Sequence, residues 1–226
     1  MKQSIRRLCL HGGSRLAKAY SVFLQDEFKV NNIDDLHSSI HLPCLKHGTD
    51  QATPIHNALY AEFDKDKYSP LVKVYRELQQ EWIHDLRKNH EARIWAIQRY
   101  PSVRVHLPGN ISVFEFHRDS EYNHPLGEIN HFLSINQSRG SASLQIEQDL
   151  GWENYQPLEL DAGQSAIINT SIFKHGDFLN NENYTRVSID FRAIPLLVLE
   201  NLRLGKSVTK GKIFDCSDYF ISSEEL

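Results

Sequence analysis

In His117-Arg118-Asp119 an imidazole and a carboxylate stand two residues apart, the spacing that puts both side chains on one face of an extended strand. Both can therefore reach a single metal ion. A third ligand has to come from elsewhere in the chain, and His175, in Lys174-His175-Gly176-Asp177, is the best candidate. Two imidazoles and one carboxylate on one side of an ion leave adjacent coordination positions open. An iron(II) centre needs that arrangement to hold a co-substrate and dioxygen together. By itself His-x-Asp is a weak signal in a chain with 12 histidines, and His124 and His131 are rival ligands in the same region.

The residues downstream of His175 add weight. Arg186 comes eleven positions later and Ser188 two beyond it, with DFLNNENYT between them as a turn candidate centred near Asn180-Asn181. A hairpin symmetric about that pair sets positions 175 and 186 opposite each other, and opposite residues of paired strands share a face. An arginine and a serine would then stand in the cavity of the metal ligand, which makes an anion beside the metal the natural ligand. In RVSIDFR, Arg186, Ser188, Asp190 and Arg192 share one face, while Val187, Ile189 and Phe191 share the other. With helices upstream to cover the apolar face, the polar face is expected to line a barrel interior. A polar lumen in a small barrel marks a ligand site.

These groups need a framework, and the periodicity of the chain describes one. Residues 1 to about 92 read as helices and loops. The clearest helix opens at Ser69-Pro70, a capping hydroxyl followed by a proline at the first helical position, where no N–H is needed. Leu71, Tyr75, Leu78, Trp82 and Leu86 recur every three or four residues, a stripe for packing on a sheet. After Asn89 the period shortens to two. RIWAIQR, SVRVHL, ISVFEFH, EINHFLSIN, ASLQIE, SAIINT and TRVSIDFR are short β-branched and aromatic runs. Pro108-Gly109-Asn110, His124-Pro125, Ser138-Arg139-Gly140 and Asp161-Ala162-Gly163 separate them as turns. Such a series points to an antiparallel barrel or jelly roll. The organisation expected is a single domain, with a helical segment over 1–92 packed on a barrel over 93–200 and a closing segment over 201–226.

At 226 residues the chain is long enough for a full core. With 40% hydrophobic and 24% charged residues and a net charge of -4, it shows no bias toward nucleic acid or a membrane surface. No apolar run approaches the roughly 20 residues of a membrane span. The start, MKQSIRRLCLHGG, is basic and too broken for a secretory signal; it reads as a frayed helix, with a cleaved organelle presequence as the alternative. Cys9, Cys44 and Cys216 are isolated and odd in number, which suits a reducing, cytoplasmic setting.

The order His-x-Asp, His, Arg-x-Ser, together with PSVRVHLPGN, FHRDSEYNHPLGEIN, the HG dipeptide and TRVSIDFR, resembles the iron(II)/2-oxoglutarate-dependent oxygenases. Within them the chain is similar to the small oxygenases of the streptomycin-biosynthesis group and their phage-encoded relatives. The resemblance runs from Pro101 to Pro195. It implies a mainly β fold with flanking helices, the double-stranded β-helix (a jelly-roll, cupin-like barrel). It implies iron(II) on His117, Asp119 and His175. Arg186 would pair its planar fork with the distal carboxylate of 2-oxoglutarate, and Ser188 would donate a second hydrogen bond to it. The implied reaction is hydroxylation of a small molecule with dioxygen, releasing succinate and carbon dioxide. Asp119 separates the chain from related halogenases, which lack this carboxylate, and leaves desaturation or ring closure as variants of the same chemistry.

Further candidates lie around these residues. Arg104 shares a strand face with Ser102 and His106 and belongs to the resembled signature, so it is a contact for 2-oxoglutarate or substrate, or else a solvent-facing charge. Asn130, a strand amide on the inner face, is a candidate to hydrogen-bond the 2-oxoglutarate C1 carboxylate, or else satisfies backbone groups. Arg192, two strand steps past Ser188, reads as a salt-bridge residue at the far end of the barrel. Glu115 shares the face of His117, and Tyr122 and His124 come after the metal motif in a loop over the site, while Trp152 and Tyr155 read as loop packing. Two other functions compete: a cupin-type isomerase or lyase using the ion as a Lewis acid, and a metal-binding barrel without catalysis. The Arg-x-Ser pair speaks against the first, which needs no dicarboxylate clamp, and retention of every ligand type speaks against the second. No basic track suggests nucleic acid.

Overall fold

The computed structural model describes residues 5–8, 10–40, 51–112, 115–202, 206 and 211–226; Cys9 and Cys44 lie outside them. The chain opens with β1 (Ile5–Leu8), then α1 (His11–Phe28), α2 (Leu36–Ser39), α3 (Pro54–Asp64) and α4 (Pro70–Asn89). The strands β2 (Trp95–Gln98), β3 (Ser102–His106), β4 (Ile129–Ser134), β5 (Leu144–Glu147) and β6 (Tyr155–Leu158) come next. β7 (Ser165–Ile168), β8 (His175–Gly176), β9 (Arg186–Pro195), α5 (Leu196–Glu200) and β10 (Phe220–Ser222) complete the order. Among the described residues no helix is long and apolar enough to cross a membrane.

Helix α4 forms where the stripe and the cap coincide. The Ser69 hydroxyl accepts from the backbone N–H groups of Leu71 and Val72, and Pro70 takes the first helical position. Leu71, Tyr75, Leu78, Trp82 and Leu86 are all buried. The Glu81 carboxylate of α4 accepts from the N–H groups of His11 and Gly12, so one helix supplies the negative charge at the start of another. At Gly13 a Cβ would come 2.5 Å from the Gly163 carbonyl, so this residue has to be glycine for α1 to sit down on the sheet.

The larger sheet runs β1-β7-β4-β9-β2-β10, with β3 also paired to β9; the smaller runs β6-β5-β8. Faced together with antiparallel neighbours throughout, they make the jelly roll expected from the strand spacing. Val103, Val105, Leu133, Val187, Ile189, Phe191 and Ala193 point outward into one core with the helices. Their alternates point into the barrel. There Phe132, Leu144, Ile146, Leu158, Ala166, Ile168 and Phe173 build a second, smaller apolar cluster. Arg186, Ser188, Asp190 and Arg192 are buried on the same inner side, so the polar face of β9 does line the lumen.

Several local expectations change. Ile5–Leu8 is a strand on β7 rather than a frayed helix, because the sheet edge offers its peptide groups partners. Of ISVFEFH, residues 113 and 114 lie outside the described set and the described remainder makes a single bridge, at His117. β6 was not legible, since Pro157 sits inside it, and Trp152 is exposed rather than packed.

His131 is not a ligand. Its ring lies between Trp82 and Phe191, at centroid distances of 4.8 and 4.6 Å, and neither nitrogen has a hydrogen-bond partner. Burial, with a smaller push from Arg6, drives its pKa from 6.5 down to about 3. Between those values the unfolded chain binds a proton that the native state refuses, so stability is full above about pH 6.5 and is lost on acidification, at up to about 1.4 kcal/mol per pH unit. His131→Leu is expected to flatten that slope and to raise stability at pH 7 by about 1 kcal/mol, because two unsatisfied polar atoms leave the core. Urea unfolding at pH 7 and pH 5 checks this, and an unchanged slope would refute it.

Candidate metal centre

His117 and His175 meet as a backbone pair. The N–H of each donates to the carbonyl of the other, at 3.0 and 2.9 Å, and the two rings stand 4.5 Å apart on one face. Gly176 permits this approach, since a Cβ there would sit 3.0 Å from the Phe116 ring. Asp119 opens a short 3-10 turn whose first N–H donates to the Thr170 carbonyl at 2.9 Å. The Nε2 atoms of His117 and His175 then lie 3.7 and 3.6 Å from Asp119 Oδ1. Among the described residues these three are the group able to hold a metal, with their ligand atoms all within 4.8 Å of one another.

Each ligand is oriented from behind. His117 Nδ1 lies 2.8 Å from the Glu115 carbonyl and His175 Nδ1 3.4 Å from that of Phe173. A carbonyl only accepts, so the proton sits on Nδ1 and the Nε2 lone pair faces the ion. Asp119 Oδ2 accepts from Thr170 Oγ1 at 2.6 Å and from Arg192 Nε and Nη2 at 3.1 and 2.9 Å. Oδ1 is left for a metal. Burial alone would raise the Asp119 carboxyl, but the Arg192 guanidinium, together with His175, His124 and the Thr170 hydroxyl, outweighs it and holds the group well below the usual carboxylate range. Burial pushes His175 down to about 4, against the attraction of Asp119. At neutral pH His175 is therefore a neutral imidazole and Asp119 a carboxylate, the protonation states that ligate. Ligand atoms about 2.1 Å from an ion and at right angles are about 3.0 Å apart. The 3.6 and 3.7 Å separations from Asp119 Oδ1 therefore close by well under an ångström on a metal, while ligand atoms up to 4.8 Å apart must close further.

The other candidates fall at different distances from this centre. β8 pairs with β5 in the smaller sheet and β9 with β3, β4 and β2 in the larger, so 175 and 186 are not hairpin partners. They face one interior from opposite walls. Arg186 is engaged there by Asp177: Nη1 donates to Oδ1 at 3.1 Å and Nη2 to Ser112 Oγ at 2.9 Å and to Asp177 Oδ2 at 3.4 Å. Arg192, expected at the far end from the site, instead backs the metal ligand. Asn130 is its register partner on β4, with its Oδ1 lacking a partner. Ser188 is buried, also with an unpartnered hydroxyl, and Arg104 lies beside it on β3.

His124 Nδ1 sits 2.9 Å from Glu128 Oε2, its ring against Phe214 and Tyr219, outside the ligand set. The ring of Tyr122 packs on His117 at 4.7 Å, and Tyr155 packs on Phe116 at 4.1 Å. Glu115 is exposed and serves through its carbonyl. Thr170 and Asp177 were not singled out from the sequence. Asp177 had a signal, standing two residues past His175 on the same face; Thr170 had none.

No family model matches the chain. Over 173 residues it is 30% identical to the streptomycin biosynthesis protein StrG of Streptomyces griseus, covering 76% of this chain and 77% of that protein. Among solved structures it resembles CytC3 with Fe(II) and alpha-ketoglutarate, with TM-score 0.56 and 11% identity over 86% of this chain and 74% of that one. It also resembles the non-haem monooxygenase ThoJ in its nickel complex, with TM-score 0.52 and 8% identity over 86% of this chain and 74% of that one. At such identities the likeness concerns the fold. The chain belongs to the family of the streptomycin biosynthesis protein StrG, on the double-stranded β-helix fold that it shares with non-haem iron oxygenases.

Proposed function

We propose that the protein is an iron(II)- and 2-oxoglutarate-dependent dioxygenase that hydroxylates a C–H bond of a small polar metabolite. The observation that carries this is the convergence of two Nε2 atoms and one carboxylate oxygen, each oriented from behind, inside a barrel whose β9 wall is polar. That donor set suits iron(II) and leaves three positions on one side of the ion. Unpartnered buried atoms at Ser134, Ser188 and Asn130 fit a polar ligand in the same interior. Bound iron with 2-oxoglutarate and dioxygen supplies oxidative decarboxylation, giving succinate and carbon dioxide and oxidising the substrate C–H.

The chain itself holds and orients. Arg192 and Thr170 keep Asp119 ionised with one oxygen turned to the metal. Asn130, in register with Arg192 and with its Oδ1 unpartnered, would take the carboxylate end nearer the metal. Tyr122 covers the outer side of His117. The relative named for streptomycin biosynthesis favours a sugar, aminocyclitol or amino-acid-like substrate.

Anaerobic protein loaded with iron(II) should develop a visible charge-transfer band on adding 2-oxoglutarate, and air should then produce succinate. Absence of both, with a broad panel of small polar substrates, would overturn the proposal.

A further inference from the structure

Four successive residues stitch the segment of His117 and Asp119 to the turn that leads into His175. His117 pairs with His175 through the backbone, and Arg118 Nε donates to the Ile172 carbonyl at 2.7 Å. The Asp119 N–H donates to the Thr170 carbonyl and Ser120 Oγ to that of Ser171, both at 2.9 Å. Arg118 reaches further still. Its Nη2 stands 3.6 Å from Glu147 Oε2 on β5, where Ile146 points into the barrel and Glu147 therefore onto the outer face of the smaller sheet. The Glu147 side chain nevertheless has no exposed surface. Its Oε2 accepts from the Lys174 N–H at 3.0 Å and its Oε1 from the Gly151 N–H at 2.8 Å. One buried carboxylate thus holds the residue after His117 and the residue before His175.

Arg118 also stands between two of the three ligands, so whatever fixes its backbone fixes His117 and Asp119 together. Its side chain is 25% exposed and that of Glu147 is not, so water screens the pair only in part. Phe116, on the other side of His117, works by shape. Its ring lies over Gly176, with Tyr155 at 4.1 Å and Phe178 at 5.2 Å. A Cβ at 176 would come 3.0 Å from that ring and 3.1 Å from the Phe116 Cα. Gly176 has no positive φ, so space alone asks for glycine, and a larger residue would push the two ligand segments apart.

We infer that Arg118 and Glu147 are positioning residues of the metal centre: from the outer face, without touching the ion, they set how closely the three ligands stand. Gly176 sets the limit of that approach. The inference rests on the proposed metal centre and concerns the affinity and coordination geometry of the bound ion. In the test, metal-free protein is titrated calorimetrically with manganese(II), and its cobalt(II) complex is followed by visible absorption. Arg118→Gln should weaken manganese(II) binding by roughly tenfold or more and shift the cobalt(II) bands. Glu121→Gln alters the other, more exposed partner of Arg118, 3.3 Å from Nη1, and should leave both readings at their wild-type values. Urea unfolding without metal measures what each substitution costs the fold, separately from its effect on the ion.

Gly176→Ala changes no charge. By moving the segments apart by a few tenths of an ångström it should also weaken manganese(II) binding and shift the cobalt(II) bands. An Arg118→Gln protein that is less stable yet keeps the wild-type affinity and spectrum overturns the inference, since the ion pair then serves the fold alone. Wild-type binding in Gly176→Ala, or an equal loss in Glu121→Gln, overturns it too; if Arg118→Gln does not fold, Gly176→Ala decides alone. A wild type that binds neither manganese(II) nor cobalt(II) overturns the metal centre itself, a distinct result.

Discussion

Arg192→Met is expected to destabilise the protein by roughly 3–5 kcal/mol and to weaken metal binding by about 10- to 100-fold in the same variant. The guanidinium is buried against Asp119 at 2.9 Å, with Glu128 3.5 Å and Asp190 3.6 Å away. Removing it leaves carboxylates in the interior without their shared cation, and the cheapest relief is protonation. Asp119 would then take up a proton and lose its value as a ligand. Urea unfolding gives the first number and calorimetric titration with manganese(II) the second. Thr170→Val is the control, since it removes one hydrogen bond and no charge; its effect should be about 1 kcal/mol. Equal losses in the two variants would mean that charge is not what Arg192 supplies.

His175→Ala should have the opposite profile. It deletes one of three ligands, so metal affinity should fall beyond the hundredfold that an outer partner is worth. The fold should be nearly indifferent, because the bond between 117 and 175 is made by peptide groups that alanine retains. Metal at about one hundred times its dissociation constant stabilises the wild type by roughly 2.7 kcal/mol, and that increment should vanish in the variant. Asp119→Ala should lose metal and stability together, since Arg192 is then the stranded charge. A thermal shift with metal that survived His175→Ala would remove this residue from the ligand set.

The helical stripe of α4, its Ser69 cap and the two-residue period of β9 were legible because each depends on neighbours in the chain. The inward face of β9 followed from them, while the i, i+2 spacing of His117 and Asp119 made those two candidates, with His175 as the third. Partners across the barrel were not legible. The eleven-residue gap between His175 and Arg186 suggested a hairpin, but the edges of β9 are filled by β3, β2 and β4, and those of β8 by β5 and His117. The connection therefore crosses from one sheet to the other. Strand parity put Arg192 on the correct face, yet only the fold brings Asp119 under it. The same holds for Asp177, whose parity with His175 was visible while its capture of Arg186 was not.

The reciprocal backbone hydrogen bonds between His117 and His175 mean that two of the three ligands are spaced before any ion arrives. Such a protein is a chelator whose bite is set by its backbone, unlike small zinc domains that fold only around their metal. An ion can therefore be stripped and replaced without unmaking the barrel. Different divalent ions would be held at the same bite, and how well each tolerates it sorts them by size and geometry.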